Sequence, residues 1–250
     1  MSALTPAATA VLRAEARLFA REPGAVFWVL AFPTLLLAGL GLIPDFREAA
    51  PELGGRRVID LYVPTSVLVA LVTGGLQVLP ATLTGYRERG ILRRMRTTPA
   101  HPADLLFAQV VLFAAVALLS AVTVLAVGRV ALDVALPRQP LAYLLALVLA
   151  VLAAVAMGLV ISAVSRTVKM ASALGLVAFF PSLFAAGVYV PVQVLPGALR
   201  TVLELTPFGA ATAALDQAAT GGWPAWWHLA VMAGWTVALA VAAVRWFRWE

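Results

Sequence analysis

The distribution of charge constrains this chain more than any other feature. Asp, Glu, Lys and Arg are absent from six long windows, 23–44, 61–85, 105–128, 139–165, 170–199 and 217–244, the last holding only His228 as a titratable group. A hydrocarbon layer about 30 Å thick is crossed by roughly 20 helical residues rising ~1.5 Å each, and every window reaches that length. Sixty-two per cent of the 250 residues are hydrophobic and 12% are charged, where a soluble domain has roughly half and a quarter. The expectation is an all-α integral membrane protein, one domain over 1–250, with spans at about 23–44, 61–85, 105–130, 139–164, 170–190 and 223–244.

The charges between the windows set an expected orientation. Residues 13, 17, 21, 87, 89, 93, 94, 96, 166, 169, 245 and 248 are the twelve basic positions on one side, and 47, 56, 57, 129, 138 and 200 are the six on the other. Excess Lys and Arg in short loops marks the cytoplasmic face, so both termini are expected inside. The net charge of +6 is then a topology signal, and no nucleic-acid partner is expected. Segment 1–23 carries Arg13, Glu15, Arg17, Arg21 and Glu22 where a cleavable signal peptide needs an apolar stretch. Cysteine is absent, which excludes disulfides, thiolate metal sites and a cysteine nucleophile.

Stretch 191–222 is too apolar for an ordinary loop, yet Arg200, Glu204 and Asp216 interrupt it and prolines stand at 191, 196 and 207. Helical pieces over 197–205 and 207–219 would extend only ~13–20 Å, short of a crossing. The segment reads as an outer re-entrant helical hairpin before the last span, with a seventh and eighth span as the rival.

Segment 86–96, Tyr-Arg-Glu-Arg-Gly-Ile-Leu-Arg-Arg-Met-Arg, predicts a short amphipathic helix: at about 100° per residue Glu88, Ile91, Leu92 and Met95 share one face, the five arginines take the other, and Pro99 ends it. Two readings fit, a basic anchor on anionic headgroups and a helix docking into a cytoplasmic partner. Glu88 on the apolar face favours docking, because lipid would penalise an acid that a partner cation can pair. Residues 7–22 predict an interfacial helix at the inner membrane surface, Arg13, Arg17 and Arg21 opposing Val11, Leu12, Leu18 and Phe19, with Glu15 intruding on the apolar face.

No energy source lies in the chain. The single lysine, Lys169, has no glycine at the spacing of a phosphate-binding loop. The spans carry no Asp, Glu, Lys or Arg apart from Arg129 near an outer end, which argues against ion coupling. No nucleophile–base pair and no metal-ligand cluster stands out, His101 reads as a loop residue, and His228 is expected near the outer headgroups with Trp223, Trp226 and Trp227. Neither an enzyme, a metal site nor a bound cofactor is expected. Phe27, Trp28 and Phe32 beside Pro33, and Phe179, Phe180 and Phe184 around Pro181, either line a path for a greasy substrate or face lipid.

Arg87-Glu88-Arg89-Gly90-Ile91-Leu92-Arg93-Arg94-Met95-Arg96-Thr97-Thr98-Pro99 resembles the E-R-G-x-L-x-R-x-x-x-T-P stretch between the second and third spans of type-2 ABC exporter permeases, particularly the drug-resistance branch. Gly187, Pro191, Pro196 and Thr206-Pro207 are placed as in that family's fifth span and outer hairpin. The resemblance covers essentially the whole chain. It implies two permease copies, as a homodimer, and two copies of a separate ABC ATPase subunit that holds ATP and Mg. It makes 86–96 the coupling helix seated in that ATPase, with Arg87, Glu88, Arg89, Gly90, Ile91, Leu92 and Met95 as coupling residues. The implied function is efflux of a hydrophobic drug-like or lipid-linked substrate, including antibiotic resistance, through the bacterial cytoplasmic (inner) membrane. The alternative is an ATP-independent secondary carrier or a membrane scaffold.

Overall fold

The computed structural model describes residues 6–91, 94 and 102–246. Six helices are long and apolar enough to cross a bilayer: Pro23–Leu40, Val58–Glu88, Asp104–Leu132, Pro140–Val164, Val168–Ala185 and Trp226–Trp246, taken in order as spans 1 to 6. A preceding helix, Pro6–Ala20, packs on span 3. The ends of the observed spans fall within 5 residues of the expected spans. Span 1 is the shortest against expectation, ending at Leu40 because the chain turns at Gly41, where a Cβ would collide with the Leu132 side chain.

Span 2 is the axis of the bundle. Its apolar window is 78% buried, against 17% for span 6 and 22% for span 1. Span 5 packs on it, spans 1 and 3 cover another side, and span 6 lies along span 4. Two π-helical turns interrupt the spans, Phe27–Ala31 in span 1 and Gly74–Val78 in span 2. Each precedes a proline, Pro33 and Pro80. A helical proline lacks an amide and its ring crowds the carbonyl four residues back; a wider turn moves that carbonyl aside. The carbonyls of the span 2 turn are met by glycines: a Cβ at Gly158 would collide with Gly75 O, and one at Gly175 with Leu76 O. Small residues let spans 4 and 5 approach the backbone there.

At the end of the bundle away from the chain termini, Gly197–Glu204 and Pro207–Thr220 form a helical hairpin. With 8 and 14 residues, neither helix is long enough to be a further span. Thr206 caps the second helix, its Oγ1 accepting Gly209 N at 3.2 Å. Trp235 Nε1 donates to Leu205 O at 2.9 Å, which sets the hairpin's tip beside the ninth residue beyond Trp226, about 13 Å along span 6. The other end of the second helix pairs with the start of span 4, Gln139 N donating to Ala218 O at 3.1 Å. A two-stranded ribbon, Ala49–Ala50 with Arg56–Arg57, docks there too: the Arg56 guanidinium grips both carboxylate oxygens of Asp216, at 2.5 and 3.0 Å. Arg57 binds Asp60 at 2.7 Å and the carbonyls of Leu132 and Asp133 at 3.1 and 3.0 Å.

His228, beside Trp227 at the start of span 6, faces protein. It is 2% exposed, with Nε2 3.5 Å from Glu204 Oε2, and Glu204 is held by Arg200 at 2.7 Å. Glu204 is on the hairpin, so the partner that draws His228 inward lies 24 residues away in sequence; Trp223 and Trp226 stay exposed.

Candidate permeation groove and coupling end

The end of the bundle that carries the N-terminal helix holds the segment expected to couple. The helix predicted over 86–96 is not continuous. Residues 86–88 are the last turn of span 2, Arg89 leaves the helix, and Gly90 has φ +69, a left-handed conformation that glycine reaches without steric cost. Glu88 and Ile91, on either side of Gly90, therefore do not share one continuous helical face. Ile91 begins the next helical turn. Leu92 and Met95 lie outside the described residues.

Arg87 and Glu88 turn back onto their own chain. Arg87 Nη2 donates to the carbonyls of Ser162, at 3.0 Å, and of Ser165. Glu88 Oε2 accepts Val168 N at 3.0 Å, the first amide of span 5, while Thr167 Oγ1 accepts Met170 N at 3.2 Å. A carboxylate and a hydroxyl thus satisfy amides that a helix start leaves unpaired, with the helix dipole favouring the negative charge. The two side chains clasp the tight connection between spans 4 and 5 to the foot of span 2.

The acid that spoiled the amphipathic pattern of the N-terminal helix has a comparable role. Glu15 is 7% exposed and its Oε2 accepts Tyr86 Oη at 2.8 Å and Gln109 Nε2 at 2.5 Å. Burial raises its carboxyl above the ordinary range, and the two hydrogen bonds only partly offset that. It joins the N-terminal helix to the end of span 2 and the start of span 3, the two elements that flank the 89–101 connection.

Between spans 1, 2 and 5 lies a cavity of about 1190 Å³. Arg89, Ile91, Glu22 and Val168 line it at the coupling end, Trp28, Phe32, Thr73, Gln77 and Phe179 along its length, and Leu36, Val188 and Tyr189 at the opposite end. Its walls are mostly apolar. Of the six aromatic residues expected along a path, Trp28, Phe32 and Phe179 line it; Phe27, Phe180 and Phe184 do not. Phe27 sets its ring edge against Trp28 at 5.2 Å and Phe180 against Phe179 at 5.7 Å, while Phe184 stacks on Tyr189 at 6.5 Å. The helical period explains the split, since adjacent residues point about 100° apart. Thr73 and Gln77, polar members of the wall midway along it, were not expected; a lone Gln inside its charge-free window was the available signal.

Six apolar helices, five of them around the buried span 2, with a long greasy groove and a basic connection at one end, define a multi-pass membrane transport protein. Residues 7–218 match the family described as ABC-2 type transporter, and the chain belongs to that family. It is thereby the membrane permease component of an ABC transporter, a kind of subunit that works with an ATP-binding subunit. Comparison with curated proteins gives no match.

Proposed function

We propose that the chain is the permease of an ATP-driven exporter of the drug-resistance branch, moving a hydrophobic drug-like or lipid-linked molecule out of the inner leaflet or cytoplasm. One observation carries this reading: Arg89 and Ile91, in the connection expected to meet the ATPase, also line the groove. A partner that displaces the connection moves the groove wall with it, without any relay through the bundle. In this account ATP and Mg stay in the partner, two permease copies face each other across their grooves, and each copy seats the 89–96 segment in one ATPase subunit. The basic end of the bundle faces the cytoplasm of a bacterial inner membrane. The mostly apolar walls suit a greasy cargo.

Co-purification from mildly solubilised membranes tests the reading, with Leu92→Asp as the control because it leaves Arg87 and Glu88 unchanged. The expected result is a stoichiometric ATPase subunit with the wild type and its loss from a normally inserted Leu92→Asp chain. An ATPase retained by Leu92→Asp overturns the docking assignment. Its absence from both preparations favours a secondary carrier or scaffold, with 86–96 an anchor on the membrane surface.

A further inference from the structure

The groove is long, and it is charged at one end only. Its wall on the span 1 side runs from Glu22 to Leu36, about 20 Å at the rise of a helix. Its volume of about 1190 Å³ exceeds the roughly 300–1,000 Å³ of a drug-sized site. Of the described residues that line it, Glu22 and Arg89 alone carry charge, and both stand at the coupling end. Along span 2 the polar side chains of the wall are committed to the protein. Thr73 Oγ1 donates to Val69 O at 2.7 Å, Thr82 Oγ1 to Val78 O at 2.9 Å and Tyr86 Oη to Glu15 at 2.8 Å, and the Gln77 amide nitrogen is buried. A long apolar slot with charge at its mouth has the polarity of an amphiphile.

The two charges at the mouth are open to a ligand. Glu22 and Arg89 are exposed. Neither forms an ion pair or a side-chain hydrogen bond, with the other or elsewhere among the described residues. Both lie within electrostatic reach of the Tyr86 hydroxyl, so they share one mouth. Arg89 fits the basic face of a cytoplasmic connection, but that rule does not call for an acid. Nor is Glu22 spent on the helix it precedes: it occupies the N-cap position of Pro23–Val26 without a side-chain hydrogen bond to it. A head of a single sign would be attracted by one of the pair and repelled by the other. A head that carries both signs meets both, with its apolar body in the slot behind.

We propose that Glu22 and Arg89 form the head-group site of the groove, selecting amphiphiles whose head is zwitterionic, as a phosphocholine or phosphoethanolamine is. This rests on the groove being the cargo path. The test uses the full chain in dodecyl maltoside, with bimane attached at Ala81→Cys in the groove wall. The reference for probe dissolved in the micelle is bimane at Val244→Cys, exposed on span 6 and outside the groove. Three probes share one nitroxide-bearing alkyl tail and carry a phosphocholine, a phosphate or a trimethylammonium head. Binding is the quenching at position 81 in excess of that at position 244. The phosphocholine probe should bind about fivefold more tightly than either single-sign probe, the ratio that two exposed charge contacts together provide. Glu22→Gln should abolish its advantage over the phosphate probe, and Arg89→Gln its advantage over the trimethylammonium probe. Both residues are exposed, so neither change removes a packed side chain. Equal binding of the three probes, tighter binding of a single-sign probe, or an advantage that survives in either variant overturns the head-group site and leaves the groove standing. Excess quenching at position 81 by no probe overturns the groove as a cargo path.

Discussion

Glu88 Oε2 accepts the backbone amide of Val168 across 3.0 Å, joining the last turn of span 2 to the first turn of span 5. Two walls of the groove are therefore held together at the end where the connection to span 3 departs. The acid of the E-R-G stretch has a partner inside its own chain, and a charge reversal at this position would injure the bundle as well as any docking.

Removing that cap separates the two roles. Glu88→Ala should destabilise the detergent-solubilised protein by about 1 kcal/mol, the usual loss for a helix N-terminal cap, whereas Glu88→Gln, which keeps an acceptor, should lose less than half of that. Thermal unfolding followed by circular dichroism measures both. Equal losses would show that the Val168 contact contributes nothing specific.

Glu15 predicts a pH dependence. Its carboxyl titrates above its ordinary value of 4.5 in the folded protein because burial disfavours the charged form. When the folded pKa of an acid exceeds its unfolded one, the folded state binds more protons between the two values. Stability attributable to the group is then highest below pH 4.5 and falls as pH rises through the folded pKa. Glu15→Gln should accordingly gain thermal stability relative to wild type as pH is raised from about 4.5 toward neutrality. A difference that stays constant or shrinks over that range would contradict the buried, partly compensated carboxylate.

The Arg56–Asp216 pair ties the ribbon to the hairpin through two hydrogen bonds. A half-buried, bidentate pair is stronger than an exposed one, and a double-mutant cycle of Arg56→Ala and Asp216→Ala should give a coupling on the order of 1–2 kcal/mol in unfolding. Arg56→Lys should recover less than half of it, since an ammonium cannot reproduce the fork. A coupling near zero would mean that ribbon and hairpin are held by apolar contacts alone.

Gly158→Ala and Gly175→Ala each drive a methyl against a carbonyl of the span 2 turn. Overpacking of this kind costs about 1–3 kcal/mol, so both variants should unfold at lower temperature than Gly24→Ala, where a Cβ meets nothing. Equal melting of all three would contradict the close approach of spans 4 and 5 to span 2.

Spans were legible because a charge excludes a residue from hydrocarbon whatever its neighbours, so 12% charged residues mark the boundaries unaided. The two π turns were not read, although each precedes a proline, Pro33 and Pro80. What could not be read were polar residues whose partners are remote in sequence. Glu15 looked like a flaw in an amphipathic stripe until Tyr86 and Gln109, 71 and 94 residues on, were beside it. For His228, nothing local pointed to Glu204, 24 residues away. The break at Gly90 was illegible for another reason: a periodicity of about 3.6 residues treats Gly90 as neutral, but its positive φ ends the helix that carries Glu88.

If the groove along spans 1, 2 and 5 is the cargo path, its access changes sides when the partner binds ATP. The absence of cysteine makes a direct measurement straightforward: Ala81→Cys, on the groove wall near the coupling end, is labelled with a membrane-impermeant maleimide in inside-out and right-side-out vesicles that contain the ATPase subunit. With ATP and vanadate, labelling from the basic side should fall severalfold and labelling from the opposite side should rise. Labelling that is the same with and without nucleotide, on both faces, would contradict the claim that this groove is the path.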